Sequence, residues 1–225
     1  PIRRTIRVSW SLGETGALAL KAARGAGMPW GLAEEASEAV SWLQTRNLPG
    51  VSALCRYLNW YQLQKSLFPK WTGLLIKDNT LPYCPFVIGT AISDGAIKIS
   101  PDVNTKVSLG FIRQPLLLLP FVFSSAPEDF GLYVEDSFIS NAIVDEEAVL
   151  YFDYPNAFLV DQAECFIRPV SKALSDFQPK AASFRLPDCY GGCIDVLSKF
   201  AARTYAPSSE QSRSTGAGTN LIDDD

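Results

Sequence analysis

Apolar positions in the first third of the chain recur at helical spacing. Ser11-Leu12-Gly13-Glu14 is an S-x-x-E capping box, in which serine and glutamate satisfy amide groups otherwise left free at a helix start. It predicts a first helix running to about Arg24, ended by Gly25-Ala26-Gly27 because glycine reaches left-handed backbone angles at little cost. Pro29 suits the first turn of a second helix. Along it Leu32, Ala36, Ala39, Val40 and Leu43 form one apolar stripe, with Glu34, Glu35 and Glu38 largely off it. Pro49-Gly50 breaks that pattern, and a third helix is expected over about 52–66, burying Leu54, Leu58 and Tyr61.

Near residue 70 the period changes to that of strands. Residues 91–99, with Asp94-Gly95 at their centre, read as a two-residue hairpin, the D-G pair supplying the positive φ angles of a type I′ turn. Further β runs lie at 106–112, 116–123, 131–136, 148–154 and 164–170, and 116–123 (LLLLPFVF) reads as a core strand pair. The connections are short and no helical crossovers separate the runs, so the sheet is expected to be mainly antiparallel. A last helix over 194–204 precedes a polar tail, 206–225, rich in Ser, Thr and Gly. The fold class expected is α+β, one domain over 1–225: helices at 11–67, a mainly β centre at 72–170, and a C-terminal helix and tail at 190–225.

A chain of 225 residues can bury a sizeable core without disulfides or metals. The net charge of −4 argues against a nucleic-acid or anionic-membrane partner, which would draw on clustered Lys and Arg. Arg3, Arg4 and Arg7 are the one basic cluster, and they read as a solvated edge. Cys55, Cys84, Cys165, Cys189 and Cys193 are odd in number and scattered, which predicts free, mostly buried thiols in a reducing compartment, hence the cytoplasm. Residues 1–16 contain no apolar core of a secretory signal. The apolar run 116–123 is far below the roughly 20 residues of a membrane span.

The absence of histidine removes Ser-His-Asp and Cys-His nucleophile pairs, histidine-ligated zinc or iron, and histidine general bases. No Gly-Lys pair exists for a P-loop, and neither G-x-S-x-G nor Ser-x-x-Lys occurs. Gly25-x-Gly27-x-x-x-Gly31 is one residue too long for a dinucleotide fingerprint and follows a helix instead of a strand. Cys189-Tyr190-Gly191-Gly192-Cys193 is not C-x-x-C, and a four-thiolate site adding Cys84 and Cys165 lacks the usual ligand spacing. Neither a metal nor a cofactor is expected.

Two segments stand out. Residues 21–36 set Lys21 and Arg24 at the end of one helix and Glu34 and Glu35 in the first turns of the next. Favourable helix-end electrostatics explains those charges, but not the density of Gly, Pro and Trp around Trp30. An exposed helix start beside Arg24 would suit an anionic group. Residues 202–225 carry Arg203, Tyr205, Pro207, Glu210 and Arg213, more varied than a plain linker, and an Arg fork with serine hydroxyls, Ser209 among them, suits a carboxylate or phosphate. These nine residues (Arg24, Trp30, Glu34, Glu35, Arg203, Tyr205, Ser209, Glu210, Arg213) are the candidate ligand-binding set. Residues 203–218 are expected to pack on the Arg24–Glu35 region, with Arg203 and Arg213 facing Glu34 and Glu35, Glu210 facing Arg24 or Lys21, and Tyr205 on Trp30.

The same segments carry a resemblance. KAARGAG followed by WGLAEEA, together with RTYAPSSEQSR and the GAG after it, is similar to an uncharacterised proteobacterial family, a domain of unknown function. That resemblance implies boundaries and no activity. Residues 12–58 also resemble the N-terminal helices of the malate and sulfolactate dehydrogenase family. Ser52-Ala53-Leu54-Cys55 stands where that family has its histidine motif, which implies loss of its NAD-dependent chemistry.

The function expected is that of a cytoplasmic binding or accessory protein for a small anionic molecule or a partner protein. The alternative is a small histidine-free enzyme with Glu34 or Glu35 as acid–base group and Arg24 or Arg213 orienting substrate. A structural subunit without a pocket is the third reading.

Overall fold

The capping box at the start of the chain forms as its residue types require. In the computed structural model, whose described residues are 10–64, 81–99, 106–126, 130–144, 147–152, 155–170 and 190–205, Ser11 Oγ accepts from the Glu14 amide at 3.2 Å. The Ser11 amide in turn donates to Glu14 Oε2 at 2.8 Å. Helix α1 (Leu12–Ala26) ends at Gly27, whose φ of 95° turns the chain so that the Met28 amide donates back to the Ala23 carbonyl at 3.1 Å. Helices α2 (Trp30–Thr45) and α3 (Gly50–Gln64) follow, each within two residues of its expected start.

Small residues set how closely these helices approach. Ala19, Ala22, Ala23 and Ala26 of α1 and Ala33, Ala36 and Ala39 of α2 are all buried, and Ser37 Oγ donates to the Gly16 carbonyl across the pair at 2.8 Å. The opposite side of α1 packs on α6 (Tyr190–Ala202). There Gly25 meets the Phe200 carbonyl so closely that a Cβ at 25 would overlap it.

Two expectations are corrected. Residues 91–99 do not form a hairpin: α4 (Pro85–Ser93) ends there, with Asp94 at φ −79° and Gly95 at φ 71°. A type I′ turn needs positive φ at both positions. Phe86, Ile88, Gly89 and Ile92 are buried along one helical face, and that tertiary packing overrides the β preference of Ile and Val. The run 116–123 is not a strand pair either. It forms a 3₁₀ turn, Pro115–Leu118, leading into α5 (Leu119–Ser125), with Pro115 and Pro120 in first turns, where a missing amide costs little. Leu116, Leu117, Leu118 and Leu119 are all buried, and a short run apolar all round carries no period that separates strand from helix.

The sheet is antiparallel in every ladder, as expected. Strands β1 (Val107–Arg113), β2 (Phe130–Val134), β3 (Ser137–Val144), β4 (Glu147–Phe152) and β5 (Gln162–Pro169) lie in the order β1-β5-β2-β3-β4. The run expected as one strand to 136 turns at Glu135-Asp136, with Glu135 at φ 55°, and β3 returns beside β2. On the outer side of β1 the Tyr83 amide donates to the Phe111 carbonyl and the Arg113 amide to the Tyr83 carbonyl. A bulge at Gly110, φ 74°, admits the Tyr83 ring, 2.7 Å from where a Cβ would stand. The 3₁₀ turn Pro115–Leu118 and α5 lie between the helical layer and the sheet, and one buried apolar cluster runs through both. With helices at both ends of the described chain, the architecture is α+β.

Candidate functional site

The corner between α1 and α2 brings three of the expected residues together. Arg24 Nη1 donates to the Met28 carbonyl at 2.6 Å, and its guanidinium lies 5.3 Å from the centre of the Trp30 ring. The Trp30 indole, 58% exposed, donates to Glu34 Oε1 at 2.6 Å. Pro29 gives α2 no side-chain cap. Glu35 is half-buried, and burial, then Glu38, Asp94 and Glu34, pushes its carboxyl above the ordinary glutamate range. Among the described residues neither Glu34 nor Glu35 makes an ion pair.

The end of α6 meets α1 and α3 differently from expectation. Arg203 Nη1 donates to Gln62 Oε1 of α3 at 3.0 Å, and not to Glu34 or Glu35. Tyr205 is exposed and receives a hydrogen bond from Lys21 Nζ at 3.2 Å instead of covering Trp30. The Gly25–Phe200 contact fixes where α6 crosses α1 and so sets residue 203 beside α3. Ser209, Glu210 and Arg213 lie outside the described residues.

A second polar cluster, which the sequence did not announce, sits where α3, the end of β1 and the start of β5 converge. Gln114 Nε2 donates to Asp161 Oδ1 at 2.8 Å, and the Gln114 amide donates to the Asp161 carbonyl at 2.8 Å. Arg113 Nη2 stands 3.5 Å from Asp161 Oδ2, and Arg56 Nη1 3.8 Å from Oδ1. Arg56 Nη1 also donates to the Leu159 carbonyl at 3.0 Å, and the Arg113 guanidinium lies 5.4 Å from the Trp60 ring centre. Gln114 is fully buried at φ 51°, ψ 68°. A non-glycine residue there costs on the order of 1–3 kcal/mol, so its surroundings must hold it. Two bonds to Asp161 do so, and Pro115 biases the preceding residue away from the right-handed helix.

Among the described residues, three buried polar atoms of this cluster have no hydrogen-bond partner: Gln114 Oε1, Arg56 Nε and Arg113 Nε. Most buried polar atoms in folded proteins are paired. The carboxylate–guanidinium separations also exceed the roughly 2.7–2.9 Å of charge-assisted hydrogen bonds. Asp161 therefore closes no fork with either arginine, and two guanidiniums facing one carboxylate leave the cluster net positive. The Arg113 side chain is 14% exposed, Arg56 39% and Asp161 58%, so the cluster runs from the interior to solvent. One local signal was available, a glutamine between a strand and Pro115 at the head of a leucine run.

Other chemistry is interior. Tyr57 Oη donates to Cys84 Sγ at 2.9 Å, with Phe86 edge-on to the Tyr57 ring. Burial pushes the Tyr57 hydroxyl and the Cys84 and Cys165 thiols up. Thiols held protonated are poor nucleophiles, so these are core groups. Cys55, Cys84, Cys165 and Cys193 are buried, and Cys189 lies outside the described residues. An open cleft of about 280 Å³ beside the β1 bulge has no charged group among its described lining residues, Tyr83, Ile88, Ile97, Ser108, Leu109 and Gly110. Among the described residues no three Cys, Asp or Glu side chains gather as a metal site, and no helix is long and apolar enough to cross a membrane.

Residues 10–81 match a family model described as "Protein of unknown function (DUF3726)". The likeness to an uncharacterised family is thus shown over α1 to α3, including the 21–36 segment; the match stops short of 202–225 and brings no activity. The expected likeness to malate and sulfolactate dehydrogenases finds no support: no curated protein and no solved structure matches this chain.

Proposed function

We propose that the protein is a binding or accessory protein for a small anionic molecule, held by Arg56 and Arg113 over Asp161 and Gln114. The observation that carries this reading is the pair of guanidiniums that converge on one carboxylate without closing a hydrogen-bonded fork on it. Arginine presents planar, always-charged donors suited to carboxylate or phosphate. Arg113 is mostly shielded from water, where a charge–charge attraction is several-fold stronger than in bulk solvent. A reducing, cytoplasmic setting fits the buried free thiols of Cys84 and Cys165.

Calorimetric titration with inorganic phosphate, succinate and L-α-amino acids, on wild type and Arg113→Met, tests the reading. At least one probe is expected to bind in the micromolar to low-millimolar range, about −8 to −4 kcal/mol. Arg113→Met should weaken it at least tenfold. No binding by any probe, or equal binding by the variant, would overturn the proposal.

A second reading, a protein-partner contact at the α1–α2 corner, is favoured by Trp30 and Tyr205, exposed aromatics each accompanied by a cation. Tyr, Trp and Arg are the residue types enriched at the energetic centres of interfaces. The enzyme alternative draws on the raised Glu35 carboxyl, but burial and then like charges cause that shift, and among the described residues no cation pairs with it.

A further inference from the structure

Asp161 narrows the class of ligand, given that Arg56 and Arg113 hold an anion, on which reading this inference rests. Both guanidiniums stand within 4 Å of its carboxylate, at 3.8 and 3.5 Å. An anion bound to the two arginines must therefore lie close to Asp161 as well, and like charges at that range repel. A ligand that brings a cation with its anion turns the repulsion into attraction. The carboxylate is oriented for this: Gln114 Nε2 fixes Oδ1, while among the described residues Oδ2 makes only the 3.5 Å contact with Arg113, and the side chain is 58% exposed. Gln114 Oε1, buried and without a donor among the described residues, adds an acceptor on the same amide that holds Asp161. Such a lone acceptor in the interior calls for an N–H or O–H from outside the protein. We infer that the ligand is a zwitterion of the α-amino-acid type, with its carboxylate on Arg56 and Arg113 and its ammonium on Asp161.

The test compares each L-α-amino acid with its N-acetyl derivative, which keeps the carboxylate and loses the ammonium, and with the matched decarboxylated amine. Succinate and inorganic phosphate serve as plain anions. Wild-type protein is expected to bind at least one amino acid ten times or more tightly than either counterpart. Asp161→Asn keeps an oxygen for Gln114 Nε2 and should bring the amino acid and its N-acetyl form to equal affinity. An N-acetyl amino acid or succinate that binds wild type as tightly as the amino acid overturns the zwitterion and leaves the anion site standing. A preference for the ammonium that survives in Asp161→Asn also overturns it. No binding by any probe removes both proposals. If Asp161→Asn fails to fold, as seen by circular dichroism, the wild-type comparison decides alone.

Discussion

Gly25 and Gly31 sit six residues apart and separate two uses of glycine. A Cβ at 25 would overlap the Phe200 carbonyl, whereas one at 31 meets nothing within 4 Å. Gly25→Ala is therefore expected to lower unfolding stability by about 1–3 kcal/mol, since backbone cannot move aside cheaply. Gly31→Ala, in the first turn of α2, should be neutral or gain up to about 1 kcal/mol; urea melts of the two variants check the contrast. Glu35 gives a pH prediction. Its folded carboxyl binds a proton more tightly than the unfolded chain does, because of burial and the carboxylates of Glu38, Asp94 and Glu34. That contribution is fully present below the unfolded value, about pH 4, and is lost as pH rises through the raised folded value. Glu35→Gln should thus melt higher than wild type at pH 7, with the gain vanishing toward pH 4. Thermal melts across that window that show no change in the difference would contradict it. At this scale the sequence was legible for the Ser11–Glu14 box and the Gly27 cap, where local chemistry decides. It was silent on Gln114 and Asp161, 47 positions apart and joined only by folding.

Elements were read well where one face is apolar and the other wet. Helices α1, α2 and α6 carry such stripes and β5 alternates exposed and buried positions, whereas β2, buried at all five positions, was legible from its aromatic and β-branched residues instead. Failures cluster where burial surrounds the chain. The leucine run has no wet face, so its residues look alike to a strand or helix template. Strand β3 was missed for the opposite reason: Ser140 is fully buried in it, its hydroxyl donating to the Phe130 carbonyl at 3.0 Å, a polar break in the core-facing pattern. If the run bridges helices and sheet, truncation there should be costly. Leu117→Ala is expected to destabilise by about 2–5 kcal/mol. Leu63→Ala, at a residue 79% exposed, should stay within about 0.5 kcal/mol. Denaturant midpoints measure both, and equal effects would remove the central role given to 115–125.

Over the whole molecule, the candidate site depends on three elements remote in sequence meeting at one point. Arg56 comes from α3, Arg113 and Gln114 from the end of β1, and Asp161 from just before β5. The pairing of β1 with β5 in register, Arg113 opposite Gln162, brings Asp161 to Gln114. The segment at 21–36 buries its alanines and Met28 and presents Trp30 and Glu34 at the α1–α2 corner, its cations engaged with Met28, Trp30 and Tyr205. The most direct measurement is a titration of isotope-labelled protein with inorganic phosphate and pooled L-α-amino acids, followed by two-dimensional nitrogen–proton spectra. The signals of the Trp60 indole, the Arg56 and Arg113 Nε–H groups and the Gln114 amide are expected to move together and saturate at one concentration, while the Trp30 indole stays still. Shifts centred on Trp30 and Lys21, or no shifts at all, would contradict the assignment of the site.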